Sequence, residues 1–493
     1  MVNLTDTGEM LRTTLDSHFE WLAVFENGKT IPLRQDEIEI AAIADRLVIG
    51  SFDEAGFKRK RVISCSLDGG VLEIQVVTPS RHRQELIRLI PREPASALRE
   101  HIDAARLHYA NAVFDAVANN FPLKQVKKIS LINENGRLAI ADAVDALGRS
   151  IAILVDTTAT MNHESLLADA LKLFARSKER KKSPAEEFFI AGTKRQIREL
   201  RKLASLLKPS YTSDLRFFEV AGESGAVKAK AIGALSMNAL WRDRPKKFPA
   251  ERRICESGRA REIIAMAPDK IDVVFSRNGE TLRFRGLPFA RVRTTMGQER
   301  CWFGTGGDRK PLNEETQEIF YDLVDELHRR RDHEPPDRRH DLFRLGTEAW
   351  LESILRRDIT KLDANLILAP IHNQFRAAGD RIDLLALRKD GRLVVIEIKA
   401  TPDRNAVFQA VDYWRTIEIQ RRRGNLRDAR LFGDLEISEE PALIYLVAPA
   451  LSFHHEFDLY ARMISSDIEL WRWELHENWR HAIKVIARKH YRD

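Results

Sequence analysis

The pattern of hydrophobic and polar positions divides the chain into stretches of different structure. Near the N-terminus, short apolar runs are separated by turns rich in Gly and Asp, which is typical of β-strands. These runs cover residues 45–50, 60–65 and 70–76. Segment 80–92 is amphipathic and predicts a short helix with an extended tail. We therefore expect residues 1–94 to form a β-rich module.

Helices and strands alternate in the next region. Helical spacing of apolar residues predicts helices over 95–120, 164–177 and 184–207. Apolar runs predict strands between them, one of which ends at Asp156. This alternation indicates an α/β module over 95–220. It is either an unrelated α/β scaffold, which we favour, or a degenerate copy of the C-terminal domain described below.

The following region is again β-rich. Residues 271–275 and 281–285 flank Asn278-Gly279, a strong hairpin signal. A helix over 313–331 ends this third module, which covers 221–332. Paired prolines among charged residues mark a linker at 333–340, and we expect residues 341–493 to form a separate domain.

Two adjacent strands of this C-terminal domain carry charge on an otherwise apolar pattern. The second strand, 393–400, is apolar on both faces except at Glu397 and Lys399. Residues two apart on a strand point to the same side. Asp383, on the preceding strand, brings a second carboxylate to the same edge. Because buried charges are rare unless they are paired or functional, these positions are candidate site residues.

Composition narrows the class of protein. A chain of 493 residues exceeds one ordinary core, and 44% hydrophobic with 31% charged residues is typical of a globular protein. The net charge of +7 permits a polyanionic partner but does not require one. The cysteines, Cys65, Cys255 and Cys301, are too far apart for a disulfide scaffold or a thiolate zinc site. Without a signal peptide or a run of about 18 apolar residues, we expect a cytoplasmic protein with no membrane partner.

Residues 345–480 resemble the PD-(D/E)XK nuclease superfamily, in particular RecB-like and archaeal-type repair nucleases. An acidic first helix, Asp383 on one strand and Glu397-Ile398-Lys399 on the next carry the resemblance. A helix with Gln409 and Tyr413 follows. The residue before Asp383 is Ile382, where the superfamily name has proline. The resemblance implies a restriction-endonuclease-like αβββαβ core with a mixed sheet, within an α/β multidomain protein.

The resemblance also implies a metal-dependent site. Asp383, Glu397 and the backbone carbonyl of Ile398 would bind Mg²⁺ or Mn²⁺, since hard cations prefer oxygen ligands. Lys399 would orient or deprotonate the attacking water, or offset developing charge. Glu352 is our choice for the first-helix carboxylate, and Glu348, one turn earlier, is the alternative.

Residues of the following helix complete the predicted site. Gln409 would support catalysis. Possible DNA contacts are Arg404, Tyr413, Arg421, Arg422 and Arg423. The structural alternative for Gln409 and Tyr413 is packing at the sheet edge and in the core. For the three arginines that end the helix, it is a favourable interaction with the helix dipole.

The sequence therefore predicts a Mg²⁺-dependent DNA endonuclease acting in DNA repair, restriction or defence. The alternative is a catalytically inactive, nuclease-like component that binds nucleic acid or belongs to a defence complex. RNA is not excluded as substrate, since the core chemistry does not read the 2′-hydroxyl. The N-terminal region would recognise the target, bind a protein partner or form a homodimer.

Overall fold

The computed structural model describes residues 4–18, 20–26, 30–43, 46–53, 56–68, 70–78, 83–92, 95–132, 137–180, 183–223, 226–242, 256–276, 279–295, 298–305, 309–369 and 383–491. The described residues form an α/β protein with four β-sheets. The chain divides into two compact units. Unit 1 comprises Met1–Ser205 and Pro209–Leu235, and unit 2 comprises Leu206–Lys208 and Ser236–Asp493.

Several predicted features lie outside the described residues. The apolar pattern also predicts a strand over 367–375, most of which lies outside the described residues, as do residues 379–382 before Asp383 and Cys255. No helix in the described part of the chain combines the length and the apolar content needed to cross a membrane.

Unit 1 begins with helix α1 (Leu4–Asp16) and a seven-stranded sheet. The strands are β1 (Glu20–Phe25), β2 (Thr30–Arg34), β3 (Ile38–Ile43), β4 (Arg46–Asp53), β5 (Gly56–Asp68), β6 (Val71–Thr78) and β7 (Arg83–Pro91). The sheet is antiparallel, in the order β2-β1-β7-β6-β5-β4-β3.

The prediction of a helix over 80–92 is wrong. Strand β7 pairs with both β1 and β6, and its Ile87 and Leu89 enter the core of the sheet. Pairing on two sides and alternate burial outweigh the local amphipathic pattern, because strand formation depends on neighbours that are distant in sequence.

The second part of unit 1 contains a six-stranded mixed sheet and its helices. The helices are α2 (Ala95–Ala118), α3 (His163–Lys178), α4 (Lys194–Ala204) and α5 (Pro209–Thr212). The strands are β8 (Leu123–Ile132), β9 (Leu138–Asp145), β10 (Ser150–Asp156), β11 (Glu187–Thr193), β12 (Leu215–Glu223) and β13 (Ala226–Ile232).

The helix predicted over 184–207 is instead divided into β11 and α4. Strand β11 is almost wholly buried, because it pairs with parallel strands on both sides. Helix α4 starts at the N-cap Thr193, whose side chain accepts from the Gln196 N–H while the Gln196 side chain binds the Thr193 N–H. This capping box fixes the boundary between strand and helix.

Unit 2 opens with a five-stranded antiparallel sheet. Its strands, in sheet order, are β14 (Ile271–Ser276), β15 (Gly279–Phe284), β16 (Leu287–Thr295), β17 (Gln298–Phe303) and β18 (Lys310–Pro311). Helices α6 (Met237–Leu240) and α7 (Gly258–Ala265) precede it and α8 (Gln317–Arg330) follows it.

Arg331 connects this sheet to the C-terminal domain. Its guanidinium is fully buried and donates to the carbonyls of Phe284 and Arg285 on one side. On the other side it donates to Leu342 and Leu345 at 2.7 Å each. The residues at 333–340 are irregular in structure, but Arg331 binds the segments before and after them, so the five-stranded sheet and the C-terminal domain form a single body within unit 2.

The C-terminal domain is a second six-stranded mixed sheet with its helices. The helices are α9 (Asp341–Arg344), α10 (Thr347–Arg357), α11 (Ala406–Arg422), α12 (Asn425–Asp428) and α13 (Phe457–Met463). The strands are β19 (Leu366–Leu368), β20 (Leu384–Arg388), β21 (Leu393–Ile398), β22 (Leu443–Pro449), β23 (Leu470–Leu475) and β24 (Val485–Tyr491).

The two mixed sheets share one topology. Each places its six strands in sequence order, and both run antiparallel, antiparallel, parallel, parallel, antiparallel from the first strand to the last. A helix precedes the first strand, and helices connect the third strand to the fourth and the fourth to the fifth. We call residues 95–205 with 209–235 the N-module and residues 341–493 the C-module.

Candidate active site

Strand register brings the two predicted carboxylates of the C-module together. Leu384 of β20 pairs with Ile396 of β21, so one further residue places Asp383 opposite Glu397. Directly opposed residues of an antiparallel pair have Cβ atoms about 4.5–5.5 Å apart. Asp383 is also fixed by the main chain, since its Oδ2 accepts from the Ile398 N–H at 2.9 Å.

Glu397 is a buried acid with one oxygen left open. Its neighbours Ile396 and Ile398 pack into the core with helix α10, so Glu397 points to the opposite face of the sheet. Its side chain is 3% exposed, and Oε1 lies 3.1 Å from Lys399 Nζ. Oε2 is buried without a hydrogen-bond partner among the described residues. Because a buried acceptor without a partner is costly, this oxygen fits a bound cation.

Lys399 is held between two carboxylates. Asp403 Oδ2 lies 3.1 Å from Nζ, the same distance as Glu397 Oε1. The other oxygen of Asp403 accepts from the Asn405 N–H at 2.8 Å, which orients the carboxylate. The sequence prediction missed Asp403. Its position four residues after the lysine, just before a helix, was the available signal.

Burial and mutual repulsion favour the protonated acids. Burial raises the pKa of Asp383 to about 7; the Ile398 N–H opposes this shift and Glu352 adds to it. Burial, and then the charge of Asp383, raise the pKa of Glu397 well above its usual range. Burial opposes the charge of Lys399, but Glu397, Asp403 and Glu348 outweigh it and raise the lysine pKa. The pair of acids therefore binds a proton or another cation, beside a firmly charged ammonium.

The two glutamates of helix α10 have different surroundings. Glu352 is buried, with Oε2 3.5 Å from Arg283 Nη1 and Oε1 3.7 Å from Arg356 Nη1. Both arginines also bind Asp272 of strand β14. Glu348 is exposed and acts electrostatically on Asp383, Glu397 and Lys399, whereas Glu352 acts on Asp383. Both glutamates therefore remain candidates for the first-helix carboxylate, because Glu352 contributes more than Glu348 to the raised pKa of Asp383, whereas Glu348 also acts on Glu397 and Lys399.

Helix α11 places the remaining predicted residues in several environments. Gln409 is half-buried, and its Oε1 has no hydrogen-bond partner within the described residues. Tyr413 is half-buried one turn further along. Arg404 Nε lies 4.0 Å from Glu456 Oε2.

The three arginines at the end of helix α11 make contacts within the protein, although Arg422 and Arg423 remain exposed. Arg421 is buried, binds both oxygens of Glu418 at 2.8 and 2.9 Å, and donates to the Glu439 carbonyl. Arg422 stacks over the Trp241 ring at 4.2 Å. Arg423 donates to the Trp241 carbonyl at 3.4 Å. These contacts stabilise the end of the helix.

A second group of possible metal ligands lies on the turn before helix α13. His454, His455 and Glu456 place ligand atoms within 4.8 Å of one another. However, His454 Nδ1 accepts from the Glu456 N–H, and Glu456 Oε2 accepts from the Tyr460 hydroxyl. The Asp383 and Glu397 pair is better suited to a cation, which would complete its shell with main-chain and water oxygens, as Mg²⁺ commonly does.

The N-module has an acid at the position that corresponds to Glu397. Asp156 ends the third strand and lies opposite Leu138, where the C-module has Asp383. Both oxygens of Asp156 are satisfied: Oδ1 accepts from the Thr158 N–H and hydroxyl, and Oδ2 accepts from the Met161 N–H and Gln196 Nε2. With four donors and an apolar neighbour across the ladder, Asp156 does not offer a cation site.

Comparison with known proteins adds little to this geometry. No protein-family model matches the chain, and no curated protein matches it. Among solved structures, EndoMS in its apo form matches with 10% sequence identity and a TM-score of 0.15, covering 39% of this chain and 89% of that chain. A TM-score this low carries no argument about fold or function.

Proposed function

We propose that the chain is a Mg²⁺- or Mn²⁺-dependent DNA endonuclease of the PD-(D/E)XK type, with the C-module as its restriction-endonuclease-like catalytic domain. The observation that carries this proposal is the buried, unpartnered Glu397 Oε2 among the described residues, opposite Asp383 and beside Lys399. DNA repair, restriction and defence are the processes that use such an activity.

The residues fit a hard divalent cation. Asp383 and Glu397 would supply carboxylate oxygens, Ile398 its carbonyl, and Glu348 a further carboxylate through water. The raised pKa values of both acids support this assignment, because a cation relieves the repulsion that burial enforces. When bound, the cation would polarise the phosphodiester and activate water.

Lys399 would act as a fixed positive charge. Its pKa is raised by the neighbouring carboxylates, so the ammonium is retained at neutral pH. It would stabilise the charge that develops on the phosphate, and it is poorly suited to accept a proton from water. Asp403 would keep the ammonium in place. Gln409 and Tyr413 of helix α11, and Arg404 two residues before it, remain proposed supporting or DNA-contacting residues.

The test is cleavage of supercoiled plasmid, linear duplex, single-stranded DNA and RNA with Mg²⁺, Mn²⁺ or EDTA. We expect metal-dependent cleavage of DNA, lost in Lys399→Ala while DNA binding is retained. Lys389→Ala, which removes an exposed lysine in the same module, is the matched control and should remain active. DNA binding without cleavage at any divalent ion would instead assign the chain to catalytically inactive, nuclease-like proteins.

A further inference from the structure

The N-module carries a net positive charge, as do residues 236–340, where 22 Lys and Arg residues face 18 Asp and Glu residues. The 21 Lys and Arg residues of the N-module face 16 Asp and Glu residues, a net charge of +5. The C-module has 24 of each and is neutral. Because net charge sets the long-range field, the N-module attracts a polyanion and the proposed catalytic domain does not.

Helix α4 presents part of this charge on one exposed face. Lys194, Arg195 and Arg198 are exposed, and their spacing of three and four residues places them together. The opposite face, with Ile197, Leu200 and other apolar residues, is buried. The fold therefore uses the apolar face of this helix and leaves the three cations in solvent.

Helix stability does not explain the position of these cations. Lys194 and Arg195 occupy the first turn, where a positive side chain interacts unfavourably with the helix dipole. Neither has a carboxylate partner among the residues that the structure describes, and Arg198 Nε lies 3.5 Å from Glu199 Oε1 in an exposed pair. An exposed pair of this kind stabilises the fold little.

Helix α4 also begins at the sheet edge that corresponds to the candidate active site. It directly follows β11, whose end adjoins that of β10 with Asp156. In the C-module the strand equivalent to β10 is β21, which carries Glu397 near its end and is followed by Lys399. The N-module thus has an acid, Asp156, whose oxygens are all hydrogen-bonded and therefore not open to a metal. It also has the three cations of helix α4 at the same edge of the sheet.

We propose that the α4 face formed by Lys194, Arg195 and Arg198 binds the sugar-phosphate backbone of a nucleic acid, and that the N-module does so without hydrolysing it. The choice of nucleic acid over other polyanions rests on the function proposed for the C-module. The binding itself requires no metal and no activity.

The test is fluorescence anisotropy of the full chain with a labelled DNA duplex of about 30 base pairs, in EDTA, over a range of salt concentrations. The variant is K194A/R195A/R198A. The matched control, K124A/K127A/K128A, removes three exposed lysines of β8 in the same module and changes the net charge equally. Melting curves of both variants should match the parent, because every substituted side chain is exposed.

We expect the α4 variant to bind more weakly and its log Kd to depend less on log salt, by about 0.9 for each phosphate that the protein no longer neutralises. An equal weakening in the control would overturn the proposal, since net charge alone would then explain binding. Binding of polyglutamate as tight as that of DNA would also overturn it, in favour of an acidic protein partner. If the chain binds DNA in EDTA but never cleaves it with any divalent ion, the endonuclease proposal is refuted and the α4 surface is still supported.

Discussion

The N-module and the C-module have the same strand order and the same pattern of parallel and antiparallel pairs, yet their buried acids have opposite surroundings. Four protein donors satisfy Asp156. Glu397 shares its face with Asp383 and leaves Oε2 without a partner among the described residues. The difference shows that topology supplies a position for an acid, while the neighbouring donors decide whether that acid stabilises the fold or binds a cation.

The helices that precede the two sheets also differ in the charge that they bring to the strand ends. Helix α2 carries the buried Arg106, whose guanidinium donates to the Leu138 carbonyl and the Thr157 hydroxyl. Helix α10 carries Glu348 and Glu352 near the equivalent strands. One module therefore has an internal cation beside the strand ends, and the other has additional negative charge that favours an external cation.

Replacing one buried acid in each module by its amide should produce the largest difference in cleavage. Glu397→Gln removes a proposed ligand without changing shape, and we expect metal-dependent cleavage to fall by about 10³-fold. Asp156→Asn should leave cleavage per folded molecule unchanged. It should lower the free energy of unfolding by about 1–3 kcal/mol, because an amide NH₂ replaces one of the two buried oxygens that accept hydrogen bonds. Plasmid nicking rates and urea unfolding curves measure the two effects. Equal loss of cleavage in both variants would show that the modules are not distinct in this way.

Arg283, one of the two arginines that bind Glu352, should matter mainly for stability. Arg283→Met leaves Asp272 and Glu352 without a buried partner on β15, and we expect a loss of about 3–5 kcal/mol in the free energy of unfolding. Arg300→Met, at an exposed position on the same sheet, is the control and should change stability by less than about 0.5 kcal/mol. Denaturant unfolding followed by circular dichroism provides the measurement. A change in Arg283→Met no larger than that of the control would contradict a stabilising role for the ion cluster.

Substitution of the two glutamates of helix α10 should affect different properties, cleavage for Glu348 and stability for Glu352. Glu348→Gln should lower cleavage by about 10–100-fold, as expected for a group that acts on the metal through water, with an unchanged melting temperature. Glu352→Gln should lower the melting temperature, since its carboxylate balances two arginines. Thermal melts and initial cleavage rates under identical conditions distinguish them. The reverse pattern would identify Glu352 as the site carboxylate.

The smallest expected effect is on the pH dependence of metal affinity. Because the pKa of Asp383 is raised to about 7, a proton occupies the site below that pH and must leave when a cation binds. The apparent affinity for Mn²⁺ should therefore rise by about tenfold or more per pH unit up to about pH 7, because Glu397, whose pKa is also raised, can release a further proton. Calorimetric titrations in two buffers with different ionisation enthalpies report the released proton. An affinity that is constant between about pH 5.5 and 8 would argue against a proton-competing Asp383.

Local patterns in the sequence were sufficient to locate the centre of the candidate site. Asp383, Glu397 and Lys399 lie on consecutive strands joined by a tight turn, so alternation and register determine their approach. Arg421 and Glu352 could not be placed in this way. The former is buried against Glu418 and the Glu439 carbonyl, and the latter is bound by Arg283, 69 residues earlier in the chain.

By itself the sequence determined that this is an α/β protein and that a hairpin near the C-terminus carries buried charge, because strand period and turn chemistry act over a few residues. Only the tertiary structure decided that β7 is a strand, that the N-module repeats the topology of the C-module, and that Asp403 holds Lys399. The physical reason is the same in each case. Pairing partners, donors and counter-charges come from distant parts of the chain, and their arrangement sets whether a buried acid is satisfied or left open.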